Sequence, residues 1–366
     1  MEKEKWDESN IPDQRNKVFI VTGPTSGLGF DTSRILAKKN AIVIMAARDV
    51  RKAEKVKKEI VGKNKTAKID VKELNLADLK SIQNFSELIK KKYSAIDCLI
   101  NNAGIMACPY SKTKDGFEIQ MGTNHLGHYA LTGLLLPLLQ SKSNSKVINI
   151  SSIAHRSGRI NFDDLAWEKR KYRTWSAYSD SKLANLYFTY ELSRKLLATN
   201  STLNVLAAHP GYSDTDLQRY SGFFKFLNKI VAQKSTIGAL AGIRAAVDSK
   251  TISGQYYGSP SFGGIWGYPT LVKSNRLSYD RENASKLWTL SESLTGISYN
   301  DEKYLDFGLE ILKKIITSCF DTEYFPKSRN IRQLVFYLKY FIILREFLRE
   351  SSNAVSYTHL TLPTKA

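Results

Sequence analysis

Short apolar runs rich in Val and Ile alternate with longer amphipathic stretches between residues 17 and 209, and this alternation constrains the fold most. The runs have strand length and lie at 17–22, 41–46, 71–74, 97–100, 146–151 and 204–209. Helix-period stretches lie between them at about 27–39, 49–61, 77–93, 117–141 and 173–199. Near-continuous apolar strands that are each followed by a helix require a parallel sheet with helices on both faces. The pattern therefore predicts a doubly wound α/β domain.

The domain organisation follows from where this pattern starts and stops. We expect a polar lead at 1–16, one α/β domain at 17–299, and a C-terminal helical extension at 300–353. Within the domain we expect an apolar, helical 210–250, a last strand near 255–257 and a helix at 280–298. The segment 354–366 fits no periodicity, and we interpret it as translated linker sequence that is not native.

The extension and the net charge raise the question of partners. Residues 330–350 predict either a packed helix or a helix on a membrane surface. The net charge is +19, but the lysines are scattered over predicted helices and no nucleic-acid-binding motif accompanies them. We interpret them as a solvated surface and expect no nucleic-acid partner.

Cysteine usage and the N-terminus bear on the compartment. The three cysteines, Cys98, Cys108 and Cys319, have no CxxC spacing, which argues against a disulfide scaffold or a Cys-rich zinc site. The charged N-terminus lacks the apolar stretch of a signal peptide, and no apolar run reaches the ~18 residues of a membrane span. We expect a cytoplasmic protein without a metal, with membrane association through 330–350 as the alternative.

A glycine-rich loop follows the first strand directly and opens the first helix. It reads Thr22-Gly23-Pro24-Thr25-Ser26-Gly27-Leu28-Gly29. Glycines permit a positive φ and let the backbone approach a pyrophosphate, and the helix start offers free N–H groups and the positive end of its dipole. In this strand-to-helix context the loop predicts a dinucleotide site, formed by Gly23, Ser26, Gly27, Leu28 and Gly29.

A second motif, Asn101-Asn102-Ala103-Gly104, follows the fourth strand. With this motif and the Gly-x3-Gly-x-Gly spacing, the chain resembles the short-chain dehydrogenase/reductase family over about residues 17–298. The segment that starts Ser151-Ser-Ile-Ala-His-Arg-Ser-Gly and the segment Ser181-Lys-Leu-Ala-Asn-Leu resemble its retinol dehydrogenase-like group most. The resemblance implies a Rossmann sheet in which Asn102, Ala103 and Gly104 line the adenine-ribose side of the cofactor.

The residues after the second strand bear on which nicotinamide cofactor binds. An NAD site usually places a carboxylate there, whereas this chain has Ala47 followed by Arg48. A guanidinium binds phosphate through paired hydrogen bonds, so we expect NADP(H) rather than NAD(H). By resemblance, the cofactor site also includes Asn75, in place of the family's usual Asp, and Leu76 after the third strand. It further includes the residues Pro210, Gly211 and Thr215 over the nicotinamide.

Carbonyl reduction creates an alkoxide that needs a proton from a positioned acid. Tyr178 and Lys182 are four residues apart, so on a helix they share one face. We expect Lys182 to lower the pKa of Tyr178 and to bind the nicotinamide ribose. Pairs at 110/114 and 299/303 have the same spacing, but only Tyr178 opens a long helix after the fifth strand.

The resemblance completes the catalytic set. It assigns Ser152 at the end of the fifth strand to orient the substrate oxygen, with Ser151 as the alternative. It assigns Asn124, in Thr123-Asn124-His125-Leu126-Gly127-His128, to hold a relay water. We interpret His125 and His128 as packing residues, because neither has a carboxylate or thiol partner at metal-binding spacing.

These residues together predict an NADP(H)-dependent oxidoreductase that interconverts an alcohol and a carbonyl compound. A lid at about 212–235 contains Phe223, Phe224, Phe226 and Leu227, which favours a lipophilic substrate. The alternative is a non-catalytic dinucleotide-binding scaffold or sensor. The resemblance also implies a homo-oligomer formed through 117–141 and 173–199.

Overall fold

A computed structural model of the chain describes residues 5–212 and 233–299. In this part of the chain eight strands form one sheet in the order β3-β2-β1-β4-β5-β6-β7-β8. All neighbours are parallel except β7 and β8, which are antiparallel. The strands are β1 Val18–Thr22, β2 Ile42–Ala47, β3 Lys68–Glu73, β4 Cys98–Asn101, β5 Lys146–Ile150, β6 Asn204–Ala208, β7 Tyr256–Gly258 and β8 Thr270–Val272.

Helices cover both faces of the sheet. They are α1 Gly27–Lys38, α2 Val50–Lys63, α3 Leu79–Lys92, α4 Ile119–Met121, α5 Gly127–Gln140, α6 Thr174–Ala198, α7 Ser235–Val247 and α8 Arg281–Thr295, and a π-helical turn, Gly122–Leu126, joins α4 to α5. On one face α1, α2 and α7 share a core with alternate residues of the strands. The other face is covered by α3, α5 and α6, and α8 packs on α6. The predicted doubly wound α/β fold is confirmed.

The differences from the predicted elements have local causes. Strand β3 starts three residues before the predicted run. The prediction missed these residues because an edge strand can carry polar, partly exposed side chains such as Lys68 and Asp70. Strand β8 was not predicted: it has three residues, and Leu271 in its centre is 57% exposed. The π-helical turn was not predicted within the expected helix 117–141, since apolar periodicity does not distinguish a single π turn from α-helix.

The N-terminal lead packs on the domain instead of forming a separate polar segment. Trp6 and Ile11 are buried in the same core as Phe19 and Ile35. The Lys39 ammonium donates a hydrogen bond to the Ile11 carbonyl oxygen at 2.6 Å. The guanidinium of Arg244 on α7 lies 5.6 Å from the Trp6 ring centroid. Two apolar side chains are therefore enough to attach a segment of otherwise polar composition.

The chain divides into two compact units, Met1–Ile297 and Ser298–Ala366. The predicted extension 300–353, its helix at 330–350 and the tail 354–366 lie outside the described residues. So does most of the predicted lid, including its Phe223, Phe224, Phe226 and Leu227. No helix in 5–212 or 233–299 is both long enough and apolar enough to cross a bilayer.

Candidate active site

The carboxyl ends of the central parallel strands meet at one edge of the sheet. The strand order reverses between β1 and β4, and such a switch point opens a crevice where ligands bind in doubly wound folds. Gly23 follows β1, Asn102 follows β4, Ser152 lies two residues after the end of β5, and Pro210 two residues after the end of β6. The fold therefore brings segments up to 187 residues apart in the sequence to one crevice.

The glycine loop adopts a conformation that side chains would prevent. Gly23 and Gly27 have φ values of 65° and 51°. A Cβ atom on Gly29 would lie 2.0 Å from the carbonyl oxygen of Gly23 and 2.7 Å from Nδ2 of Asn102. Ser26 begins α1 without a side-chain capping bond, so the first-turn N–H groups of α1 remain available to an anion. The loop thus fits a pyrophosphate.

The Asn-Ala-Gly segment after β4 is bonded to the end of β1. The backbone N–H groups of Asn102 and Ala103 both donate to Thr22 Oγ1 at 2.9 Å. Nδ2 of Asn102 donates to the Thr22 carbonyl oxygen at 2.8 Å. A Cβ atom on Gly23 would lie 2.9 Å from Cα of Ala103. The two predicted cofactor motifs therefore form one structural unit.

The residues that follow β2 and β3 lie at the same carboxyl edge of the sheet, beyond the glycine loop that follows β1. Arg48 follows the last residue of β2 and is exposed, while Ala47 is buried. Among the described residues no ion pair of Arg48 is observed, so its guanidinium is available to a ligand. The Asn75 side chain accepts a hydrogen bond from the Ala77 backbone N–H at 3.2 Å, and Leu76 is buried.

The catalytic candidates lie at the start of α6 and the end of β5. The Ser152 side chain faces the Tyr178 hydroxyl and lowers the pKa of that phenol. Nζ of Lys182 lies 5.7 Å from the centroid of the Tyr178 ring and donates to the Ile150 carbonyl oxygen at 3.1 Å. The hydroxyl of Ser151 instead donates to the backbone carbonyl of Lys182 at 2.8 Å. Of the two serines, Ser152 is the one that faces the Tyr178 hydroxyl.

Burial controls the protonation of this pair. It raises the pKa of Tyr178 to about 12, against a smaller lowering by the Ser152 hydrogen bond. Burial also lowers the pKa of Lys182 to about 8. Among the described residues, burial and Ser152 shift the pKa of Tyr178, while the Lys182 ammonium is directed to the Ile150 carbonyl oxygen. The lowering of this pKa by Lys182 stays a prediction.

Asn124 lies in the π-helical turn and holds the loop that follows Gly104. Its Oδ1 accepts from the Ile105 N–H at 2.8 Å, and its Nδ2 donates to the Ile105 carbonyl at 2.9 Å and to Ser181 Oγ at 2.9 Å. A Cβ atom on Gly104 would lie 3.2 Å from Asn124 Oδ1 and 3.4 Å from Lys182 Nζ. Asn124 thus lies beside Lys182, but its side-chain amide is engaged by protein groups.

The competing tyrosine–lysine pair at 110 and 114 does not form a site. The Tyr110 hydroxyl donates to the Ala166 carbonyl at 3.2 Å, and Lys114 pairs with Asp78 at 2.9 Å. For the pair at 299 and 303, the lysine lies outside the described residues.

The segment after β6 closes the crevice with a tight turn. Gly211 has a φ of 68°, and a Cβ atom there would lie 2.4 Å from the Ile265 carbonyl oxygen. The side chain of Gln233 donates to the Pro210 carbonyl at 2.7 Å. Thr215 lies outside the described residues.

Sequence analysis did not identify two residues that contact the candidate site, Trp175 beside Tyr178 and His155 beside Ser152. Trp175 is 40% exposed, and its ring centroid lies 6.1 Å from that of Tyr178; its position one helical turn before Tyr178 could have identified it. His155 is bonded through Nδ1 to the Ser152 carbonyl at 2.5 Å and through Nε2 to the Asn275 N–H at 3.2 Å. No sequence pattern indicates His155, because Asn275 is 120 residues away.

Within 5–212 and 233–299, no cluster of three or more His, Cys, Asp or Glu side chains could hold a metal ion.

Comparisons with known proteins agree with this geometry. Residues 17–222 match the family model described as short chain dehydrogenase. Human retinol dehydrogenase 13 is 40% identical over 297 residues, which cover 77% of this chain and 85% of the relative. Mouse retinol dehydrogenase 12 is 40% identical over 288 residues, which cover 77% of this chain and 87% of the relative.

Solved structures show the same fold. An uncharacterised protein of Mycobacterium paratuberculosis aligns with a TM-score of 0.69 and 41% identity, over 81% of this chain and 99% of that one. The NADP complex of Pseudomonas aeruginosa RhlG aligns with a TM-score of 0.55 and 21% identity, over 69% of this chain and 96% of that one.

Proposed function

This chain belongs to the short-chain dehydrogenase family and is an oxidoreductase, and we propose that it transfers a hydride between NADP(H) and a lipophilic alcohol or carbonyl compound. The observation that carries the proposal is the grouping of Tyr178, Ser152 and Lys182, with Nζ of Lys182 5.7 Å from the Tyr178 ring centroid and the Ser152 side chain facing the Tyr178 hydroxyl. This set lies at the carboxyl edge of the sheet, in the crevice that the glycine loop borders.

The residues present fit a nicotinamide dinucleotide. The glycine loop and the uncapped start of α1 offer backbone N–H groups to a pyrophosphate. Arg48 offers a guanidinium to a 2′-phosphate, and its position after β2 supports NADP(H) over NAD(H). Lys182 would bind the nicotinamide ribose, and Pro210, Gly211 and Thr215 would border the nicotinamide. When bound, the cofactor supplies or accepts the hydride.

The protein's part in carbonyl reduction is to orient the substrate and to deliver a proton. Ser152 and Tyr178 would both donate hydrogen bonds to the carbonyl oxygen. With a pKa of about 12, Tyr178 keeps its proton at neutral pH, which suits a group that must donate it as the alkoxide forms. Lys182, with a pKa of about 8, remains mostly charged at pH 7 and would stabilise the phenolate that is left.

Trp175 and the relatives support a lipophilic substrate. The partly exposed indole of Trp175 lies against the ring of Tyr178, so a substrate that reaches the hydroxyl would pass an aromatic surface. The relatives at 40% identity are named retinol dehydrogenases, and retinol is a lipophilic alcohol.

Replacing Tyr178 by Phe tests the mechanism. We expect Tyr178→Phe to lose nearly all NADPH consumption with a panel of aldehydes and quinones while NADPH still binds, since only the acid is removed. Tyr110→Phe is the matched control, because Tyr110 also precedes a lysine by four residues but its hydroxyl is bonded to the Ala166 carbonyl, and it should retain turnover.

Two results would contradict the proposal. Turnover that persists in Tyr178→Phe would refute the assigned acid. A wild-type chain that binds NADPH but reduces no member of the panel would favour the non-catalytic scaffold.

A further inference from the structure

His128, which sequence reasoning assigned to packing, is bonded at both ring nitrogens to parts of the site. Its Nδ1 lies 3.0 Å from the backbone carbonyl oxygen of Asn124, and its Nε2 lies 3.0 Å from Thr22 Oγ1. The side chain is 1% exposed, so no water competes for these bonds. One imidazole thus joins the end of β1 to the π-helical turn.

The direction of each hydrogen bond follows from the partners. A backbone carbonyl can only accept, so Nδ1 of His128 carries the hydrogen. Burial lowers the pKa of His128 to about 4, so the ring is neutral at pH 7 and Nε2 has a lone pair to accept with. The Thr22 hydroxyl must therefore donate its single proton to Nε2.

The direction of this bond decides which hydrogen bonds Thr22 Oγ1 can accept within the cofactor cradle. We use this name for the unit formed by the glycine loop, Gly23–Gly29, and the segment Asn102–Gly104. With its proton directed to His128, the lone pairs of Oγ1 accept the N–H groups of Asn102 and Ala103. Those bonds hold Ala103 against Gly23. The alternative acceptor for the Thr22 proton, the Ile100 carbonyl oxygen, is more distant at 3.4 Å.

His125 shows that burial on this helix does not by itself produce such a connection. It is also 1% exposed, and burial lowers its pKa as well. Its Nε2, however, is bonded to Ser291 on α8 at 2.8 Å, and its Nδ1 has no hydrogen-bond partner among the described residues. His125 connects the π-helical turn to α8 and not to the glycine loop.

We infer that His128 is a positioning residue that couples the cofactor cradle to the π-helical turn carrying Asn124. It does so by orienting the Thr22 hydroxyl and by holding the Asn124 carbonyl. The inference rests on the proposed function, because the cradle's ligand is the proposed dinucleotide. It predicts that Thr22 and His128 act as one unit in cofactor binding.

A double-mutant cycle tests this coupling. We expect Thr22→Val and His128→Phe each to raise the dissociation constant for NADPH about 10-fold, equivalent to ~1.4 kcal/mol, as when one buried hydrogen-bond partner is removed. The double variant should bind no more weakly than either single variant. His128→Gln, which can place an acceptor near Thr22, should restore most of the affinity.

His125→Phe is the matched control. We expect it to lower the melting temperature as His128→Phe does but to leave the NADPH affinity within about twofold of wild type, and its effect should add to that of Thr22→Val. Circular dichroism checks that each variant folds; if His128→Phe does not fold, His128→Leu, which also lacks an acceptor for the Thr22 hydroxyl, takes its place in the cycle.

Different experimental results would contradict the role of His128 and the proposed function. A wild-type chain that binds neither NADPH nor NADH would overturn the proposed function. A wild-type chain that binds NADPH, with additive effects of Thr22 and His128 or an affinity unchanged by both, would overturn the coupling alone.

Discussion

At the scale of single residues, solvation decides the chemistry of the candidate site more than helical spacing does. The four-residue spacing of Tyr178 and Lys182 leaves Nζ of Lys182 5.7 Å from the centroid of the Tyr178 ring on the same helix. Their pKa values shift toward the neutral forms, since burial penalises both the phenolate and the ammonium. A protonated phenol next to a hydroxyl donor is suited to carbonyl reduction at neutral pH.

Arg48 allows a test of cofactor choice at the same scale. We expect Arg48→Ala to weaken NADPH binding about 10-fold or more and to leave NADH binding nearly unchanged, because only NADPH carries the 2′-phosphate that pairs with a guanidinium. Fluorescence titration with both nucleotides measures the ratio. Arg51, three residues on in α2, is an exposed control; tighter binding of NADH than NADPH by the wild type would overturn the assignment.

At the scale of elements, a few glycines determine whether strand, loop and helix can meet. Gly29 leaves no room for a methyl group next to the Gly23 carbonyl, whereas Gly62 on α2 has no neighbour within 4 Å of the corresponding position. Both glycines lie in helices. The same substitution should therefore have opposite effects at the two positions.

We expect Gly29→Ala to destabilise the fold and to abolish NADPH binding, because the turn before α1 must open to admit the methyl group. Gly62→Ala should instead increase the free energy of unfolding by about 0.5–1 kcal/mol, since alanine loses less backbone entropy in a helix. Urea unfolding and NADPH titration measure both effects. Unchanged binding in Gly29→Ala would show that the loop is not the cradle.

At the scale of the whole molecule, the N-terminal lead is part of the core. Trp6 lies beneath the guanidinium of Arg244, which is also 5.6 Å from the centroid of the Tyr257 ring on β7. The N-terminal lead therefore contacts α7 through Arg244, and the same arginine contacts β7 through Tyr257. A segment of largely polar composition is thus attached to the core through Trp6 and Ile11.

We expect Trp6→Ala to lower the free energy of unfolding by about 3 kcal/mol, the usual cost of removing a large buried aromatic side chain. Trp6→Phe should cost less, because a ring still packs under Arg244. Urea denaturation of the full chain compares the three proteins. Equal stability of Trp6→Ala and wild type would mean that the lead is attached without stabilising the domain.

From the sequence alone we could predict the order of the strands β1 to β7 and of the long helices between them, the glycine-rich turn between β1 and α1, and the helix on which Tyr178 and Lys182 share a face. These features are local, because apolar periodicity, glycine spacing and a four-residue interval act within one element. Three findings required the three-dimensional structure: Ser152 and not Ser151 faces the Tyr178 hydroxyl, His128 and His125 contact different parts of the fold, and Trp6 is buried. Each of these depends on partners far away in the chain, such as Thr22 for His128 at 106 residues. Burial and the choice of hydrogen-bond partner arise only once the sheet has brought distant segments together.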